Sequence, residues 1–126
     1  MSHTTTIKTQ FLDEAAIAAA CKELGLPAAI RGKATLFRFN DPTEHEGILV
    51  QLPGWNYPVI INTKTGEAKF DNMNGKWGAQ VELEKFTQYY GVHKATMEAQ
   101  KRGLRVLRSV QPNGVIRLTI PQRQQY

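Results

Sequence analysis

Only one cysteine, Cys21, stands among the 126 residues, so no disulfide can form within the chain. Small secreted scaffolds that depend on cystine staples are thereby excluded. Long apolar runs are missing too, and the longest fall far short of the ~20 residues that span a bilayer. The opening Met1-Ser2-His3-Thr4 lacks the basic-then-apolar layout of a secretory signal. The expectation is a protein kept in a cytoplasm or an organelle stroma, with no membrane. Catalytic signatures are equally scarce: there is no Gly-x-Ser-x-Gly, no phosphate-cradling glycine loop and no pair of carboxylates converging with a histidine. No cofactor is implied.

What the chain does have is the make-up of a folded domain. Its hydrophobic share is 41% and its charged share 21%, an ordinary balance for a globular protein that buries its own core. Lysine and arginine number 16 against 11 aspartate and glutamate, a net charge of +5. That balance permits an acidic partner such as nucleic acid and equally serves solubility.

Periodicity supplies the elements. Thr4 to Gln10 alternates and is rich in threonine, as a strand is. Asp13 has the character of an N-cap, and Ile17, Ala20, Cys21 and Leu24 share one helical face that Gly25 and Pro27 terminate. Strands follow over Ala29 to Phe39, Ile48 to Leu52, Tyr57 to Ile61 and Glu67 to Phe70, with a turn at Asn40-Asp41-Pro42. Asp71 to Gly78 is a loop. A second helix runs from about Gln80 to Arg102, with Leu83, Phe86, Tyr90, His93 and Met97 on one face, and Gly91 marks close packing or a kink. Leu104 to Val110 and Val115 to Ile120 are strands joined by a turn at Asn113-Gly114. The predicted architecture is a single α+β domain over 1–120, ordered β-α-ββββ-α-ββ, with a polar tail over 121–126. It has two helices on one face of a mainly antiparallel sheet of about seven strands. A helix-Gly-Leu-strand pattern occurs at Gly25-Leu26 and again at Gly103-Leu104, which reads as a repeated way of leaving a helix.

The opening Met1-Ser2-His3-Thr4-Thr5-Thr6-Ile7-Lys8-Thr9-Gln10 resembles the start of a family of small proteins encoded in cyanobacteria and algal plastid genomes, known as a hypothetical chloroplast reading frame and a domain of unknown function. The likeness continues through Asp13–Gly25, Phe70-Asp71 with Trp77, Tyr89-Tyr90 to Gly103, and Asn113 to Leu118. It implies a cyanobacterial, plastid, related bacterial or phage source, and it supplies no catalytic residue. The family often carries consecutive tryptophans after the aspartate, whereas this chain has Asp71-Asn72-Met73-Asn74-Gly75-Lys76-Trp77.

Four sets of side chains have chemistry to weigh. His45 lies between Glu44 and Glu46 in a predicted turn, and adjacent positions alone do not supply three or four converging metal ligands, so no metal is expected. His93 falls on the apolar helix face, where a hydrogen-bonded core role outweighs a general base. Cys21 is mid-helix on the core face, far from the helix N-terminus or cation that makes a thiolate reactive. Trp55, Tyr57 and Trp77 sit in or beside loops, where aromatics either anchor a protein partner or cap the core edge. Lys8, Arg105, Arg108 and Arg117 form a basic set on the expected sheet face, either solvated or in contact with phosphates. Stacking platforms for single strands would come from Phe37, Phe39, Trp55 and Tyr57. The favoured expectation is a non-enzymatic accessory or adaptor protein docking on a larger protein through Trp55, Tyr57 and Trp77. The alternative is nucleic-acid binding through Lys8, Arg105, Arg108 and Arg117.

Overall fold

A computed structural model describes residues 5–7, 10–36 and 44–121, with backbone alone for residues 5–7 and no side chain for Asn74. His3, Lys8, Phe37, Phe39, the Asn40-Asp41-Pro42 turn and residues 122–126 lie outside the described residues.

The chain is α+β. Its elements are β1 (Thr5–Ile7), α1 (Glu14–Glu23), β2 (Ile30–Thr35), β3 (Glu44–Val50), β4 (Val59–Asn62), β5 (Glu67–Phe70), α2 (Gln80–Lys101), β6 (Leu107–Val110) and β7 (Ile116–Thr119). Asp13 starts α1 as the sequence predicts: its Oδ1 accepts the Ala16 N–H at 3.1 Å, satisfying one of the helix's orphan donors. Both helices end in the same hydrogen-bonded pattern. Leu26 N donates to Cys21 O at 2.9 Å and Leu104 N donates to Ala99 O at 2.9 Å. The intervening Gly25 and Gly103 take positive φ, 69° and 71°, as a Schellman exit requires. The repeated Gly-Leu is therefore a shared helix stop.

Among the described residues every strand pair is antiparallel. The expectation of one sheet of about seven strands needs correction. Five strands form one sheet in the order β1-β5-β4-β3-β2, and β6-β7 make a separate two-stranded sheet. The hairpin is held away from the larger sheet because it docks on helices. Ile116 N donates to Gln88 Oε1 of α2 at 3.3 Å, and Arg108 grips Glu23 at the end of α1. β6 also starts later than alternation suggests, since Leu104 is spent closing the exit of α2.

Register places Ile48, Ile61 and Ala68 in one row and Val50 beside Val59, all buried on one face of the five-stranded sheet. Against that face pack Ala16, Ile17, Ala20 and Cys21 of α1 with Leu83, Phe86 and Tyr90 of α2. Tyr90 fastens the layers: its hydroxyl donates to Gln10 O at 3.0 Å and accepts from Asp13 N at 3.1 Å. One phenol thus fixes the start of α1 to the middle of α2, and Phe11 packs edge-on to its ring at 4.9 Å. Gly91 is exposed, and an added Cβ would meet nothing within 4 Å, so it marks no close packing.

Candidate functional site

Two loops carry the three candidate aromatics. The first, 51–58, leaves β3 and turns at Pro53-Gly54, with Gly54 at φ 72°. The second, 71–79, joins β5 to α2 and contains a single 3-10 turn, Met73–Gly75. Asn56 N donates to Trp77 O at 2.8 Å, which stitches the loops together.

Asn72 organises the second loop from inside. It is 8% exposed, and its Nδ2 donates to Gly78 O and to Gln80 Oε1, both at 3.2 Å. Its backbone carbonyl accepts from Gly75 N at 3.0 Å and Trp77 N at 2.9 Å. Asp71, also buried, accepts the Met73 N–H at 3.1 Å and helps hold Met73 at φ 47°, a conformation few non-glycine residues adopt. Among the described residues no buried side-chain polar atom is left without a partner. Such a satisfied network fixes a loop in one conformation.

Within this frame the aromatics divide. Trp55, one of the three candidate anchors, is instead core: it is 5% exposed. Its Nε1 donates to Ala79 O at 3.0 Å, and its ring packs 5.6 Å from Phe70. Gly78 makes room for it, since a Cβ there would lie 2.5 Å from the indole. Tyr57 and Trp77 remain partly exposed. Their rings meet edge to face at 5.6 Å, 66° apart, the geometry the ring quadrupoles favour. The result is a partly exposed two-ring pair on loops whose other tryptophan, Trp55, is buried.

Within the basic set, Arg108 and Arg117 are separated. Arg108 pairs across the hairpin with Leu118, and Arg117 with Ser109, so the two guanidinium groups leave opposite faces. The expected shared face for Arg108 and Arg117 is corrected accordingly. Arg108 is also occupied. Its two terminal nitrogens bond both oxygens of Glu23, Nη1 to Oε1 at 3.0 Å, and its guanidinium lies 5.5 Å from the Tyr89 ring centroid. Arg105 is exposed in the segment between α2 and β6.

His93 is not the enclosed core residue its position suggests. Its side chain is 22% exposed, and Nε2 lies 2.7 Å from Glu23 Oε1. Hydrogen bonding from Arg108 holds the Glu23 carboxyl below its usual range, against the opposing effect of burial, with His93 adding to the lowering. Glu23 is the residue sequence reasoning missed. Its partners lie 70 and 85 positions away, and no local pattern announces them.

His45 lies within β3 opposite Ala34, and not in a turn. It lines a pocket with Glu44, Glu46, Ile60, Asn62, Glu67 and Lys69. Among the described residues no three His, Cys, Asp or Glu side chains gather as a metal site. Cys21 is 1% exposed, and burial pushes its thiol pKa up, which disfavours a reactive thiolate. No helix among the described residues is long and apolar enough to cross a membrane.

No family model, curated protein or solved structure matches this chain.

Proposed function

We propose that this chain is a non-enzymatic accessory protein that docks on a larger protein through Tyr57 and Trp77. The observation that carries the reading is the paired, partly exposed rings on two cross-stitched loops. Interface anchors are enriched in tryptophan and tyrosine because each removes a large area from water while few rotamers are frozen. Here the ordering cost is lowered further, since Asn72 and the buried Trp55 already hold the loops in place. Trp55 acts as the foundation of the patch and not as a contact.

The likeness to cyanobacterial and plastid proteins names the extract in which to look. Tagged wild-type chain should retain a partner in stoichiometric amount from a cyanobacterial lysate. A Trp77→Ala variant with an unchanged circular dichroism spectrum should lose it. Retention of every partner by that folded variant would remove Trp77 as an anchor and the docking reading with it.

A further inference from the structure

The β6-β7 hairpin is a second surface, independent of the aromatic patch. Every residue of β6 is exposed. Of the seven large hydrophobic residues exposed among the described residues, four belong to the hairpin or its flanks: Leu107, Val110, Val115 and Ile120.

The turn fixes which backbone groups point outward. Gln111 N donates to Val115 O at 2.8 Å, and Gly114 N donates to Gln111 O at 2.9 Å. Gln111 and Val115 are thus a hydrogen-bonded pair, and alternation makes Ser109 with Arg117 the next. Arg108 and Val110 on β6, and Ile116 and Leu118 on β7, therefore direct their N–H and C=O away from the ladder. On β7 the outward Ile116 N–H is met by Gln88 of α2. On β6, among the described residues, no strand or side chain meets Arg108 or Val110 in this way. β6 is an open edge, a ready template for another strand.

Charge selects what could lie there. After Glu98 the sequence has no acidic residue, yet it contains Lys101, Arg102, Arg105, Arg108, Arg117 and Arg123. Among the described residues no carboxylate pairs with Arg105 or Arg117. Pairing two copies of this edge would bring like charges together, which disfavours a second copy. A nucleic acid would satisfy the arginines but not the edge amides or the exposed aliphatic side chains. Moreover, residues 104–121 contain no aromatic ring on which a base could stack. An extended peptide alternating acidic and aliphatic residues satisfies all three at once, because its backbone completes the ladder while its side chains match charge and apolar area.

We infer that β6 binds an extended acidic segment of a protein partner as an added strand, through the backbone of Arg108 and Val110, with Arg105 and Arg117 supplying the complementary charge.

The test titrates a capped peptide of alternating glutamate and valine into labelled protein and follows amide resonances and their hydrogen exchange. Slowed exchange at Arg108 and Val110 is expected, with apparent affinity falling at least tenfold as NaCl rises from about 0.05 to about 0.5 M. A lysine-valine peptide should not bind. Val110→Pro removes one outward N–H while leaving the hairpin's own ladder intact, and β7 resonances report that the hairpin survives. It should weaken the glutamate peptide at least tenfold. Three results would overturn the inference. In one, the peptide causes no change at β6. In another, binding is unaltered by Val110→Pro, which would mean charge attraction alone, shared equally by an oligodeoxythymidine control. In the third, protection at Arg108 and Val110 grows with protein concentration and no peptide, which would assign the edge to a second copy.

Discussion

Replacing Gly78 by alanine puts the largest local demand on the loop frame. The added Cβ would fall 2.5 Å from Trp55 Cγ and Cδ2 and 2.7 Å from Cδ1. Carbon atoms rest comfortably at ~3.5–4.0 Å, so the ring has to retreat by about 1 Å. Little room exists for that retreat. The indole is 5% exposed, and Phe70 packs beside it. Its Nε1 bond to Ala79 O, 3.0 Å long, is accepted by the residue next to the substitution, so the same shift strains or breaks it. Overpacking of this kind costs about 1–3 kcal/mol. A buried N–H left without its partner adds about 1 kcal/mol or more. Gly78→Ala should therefore destabilise the protein by about 2–4 kcal/mol. Urea titration followed by circular dichroism and tryptophan fluorescence reads this as a lower midpoint at unchanged slope. In a Trp55→Leu background the same substitution should cost at least about 1 kcal/mol less, a coupling that assigns the cost to the ring. A loss below about 0.5 kcal/mol in the wild-type background, within the range of ordinary surface changes, would refute the reasoning.

At Gly91 the opposite sign is expected. An added Cβ there meets nothing within 4 Å, so Gly91→Ala should stabilise by up to about 1 kcal/mol through helix propensity, seen as a raised urea midpoint. Gly47 resembles Gly78 in kind: a Cβ would press into the backbone carbonyl of Ile61, which cannot swing aside as a side chain can. Gly47→Ala should lower stability by at least about 1–3 kcal/mol, with β3–β4 amides exchanging fastest in hydrogen-exchange measurements. The Glu23 carboxylate contributes stability because its folded pKa is lowered from 4.5, chiefly by the Arg108 hydrogen bonds. That contribution is complete above the ordinary value and disappears as pH falls through the depressed one. Since both partners are about a third exposed, Glu23→Gln should cost only about 0.5–1 kcal/mol at neutral pH. The difference between variant and wild type should shrink on acidification through pH 4.5 and below, and a difference that grows there would contradict the assignment.

Much of the frame could be read from local signals. The Asp13 cap, the Gly25 and Gly103 stops, the strand Glu67–Phe70 and the long second helix each follow from residues within a few positions of one another. The partition into two sheets depends on contacts across the chain. Alternation shows that 107–110 and 116–119 are extended but not where the hairpin docks, which Gln88 of α2 and Glu23 of α1 decide by holding Ile116 and the Arg108 side chain. The aromatic set failed at Trp55 for a related reason. Pro53-Gly54 marks a loop, and loops usually expose their residues. Here the vacancy opened by Gly78, more than twenty residues on, admits the ring. Tyr57 and Trp77 were nameable as candidates, but their edge-to-face contact and the Asn72 network beneath them are tertiary facts.

The docking claim is tested most directly by calorimetric titration of the partner recovered with wild-type chain. The measurement compares wild type with Tyr57→Ala, Trp77→Ala and a Gly91→Ala control. If the two rings are the anchor, each truncation should weaken binding by about 2 kcal/mol or more, roughly thirtyfold, while Gly91→Ala binds as wild type does. Equal affinity across the four proteins would contradict the account.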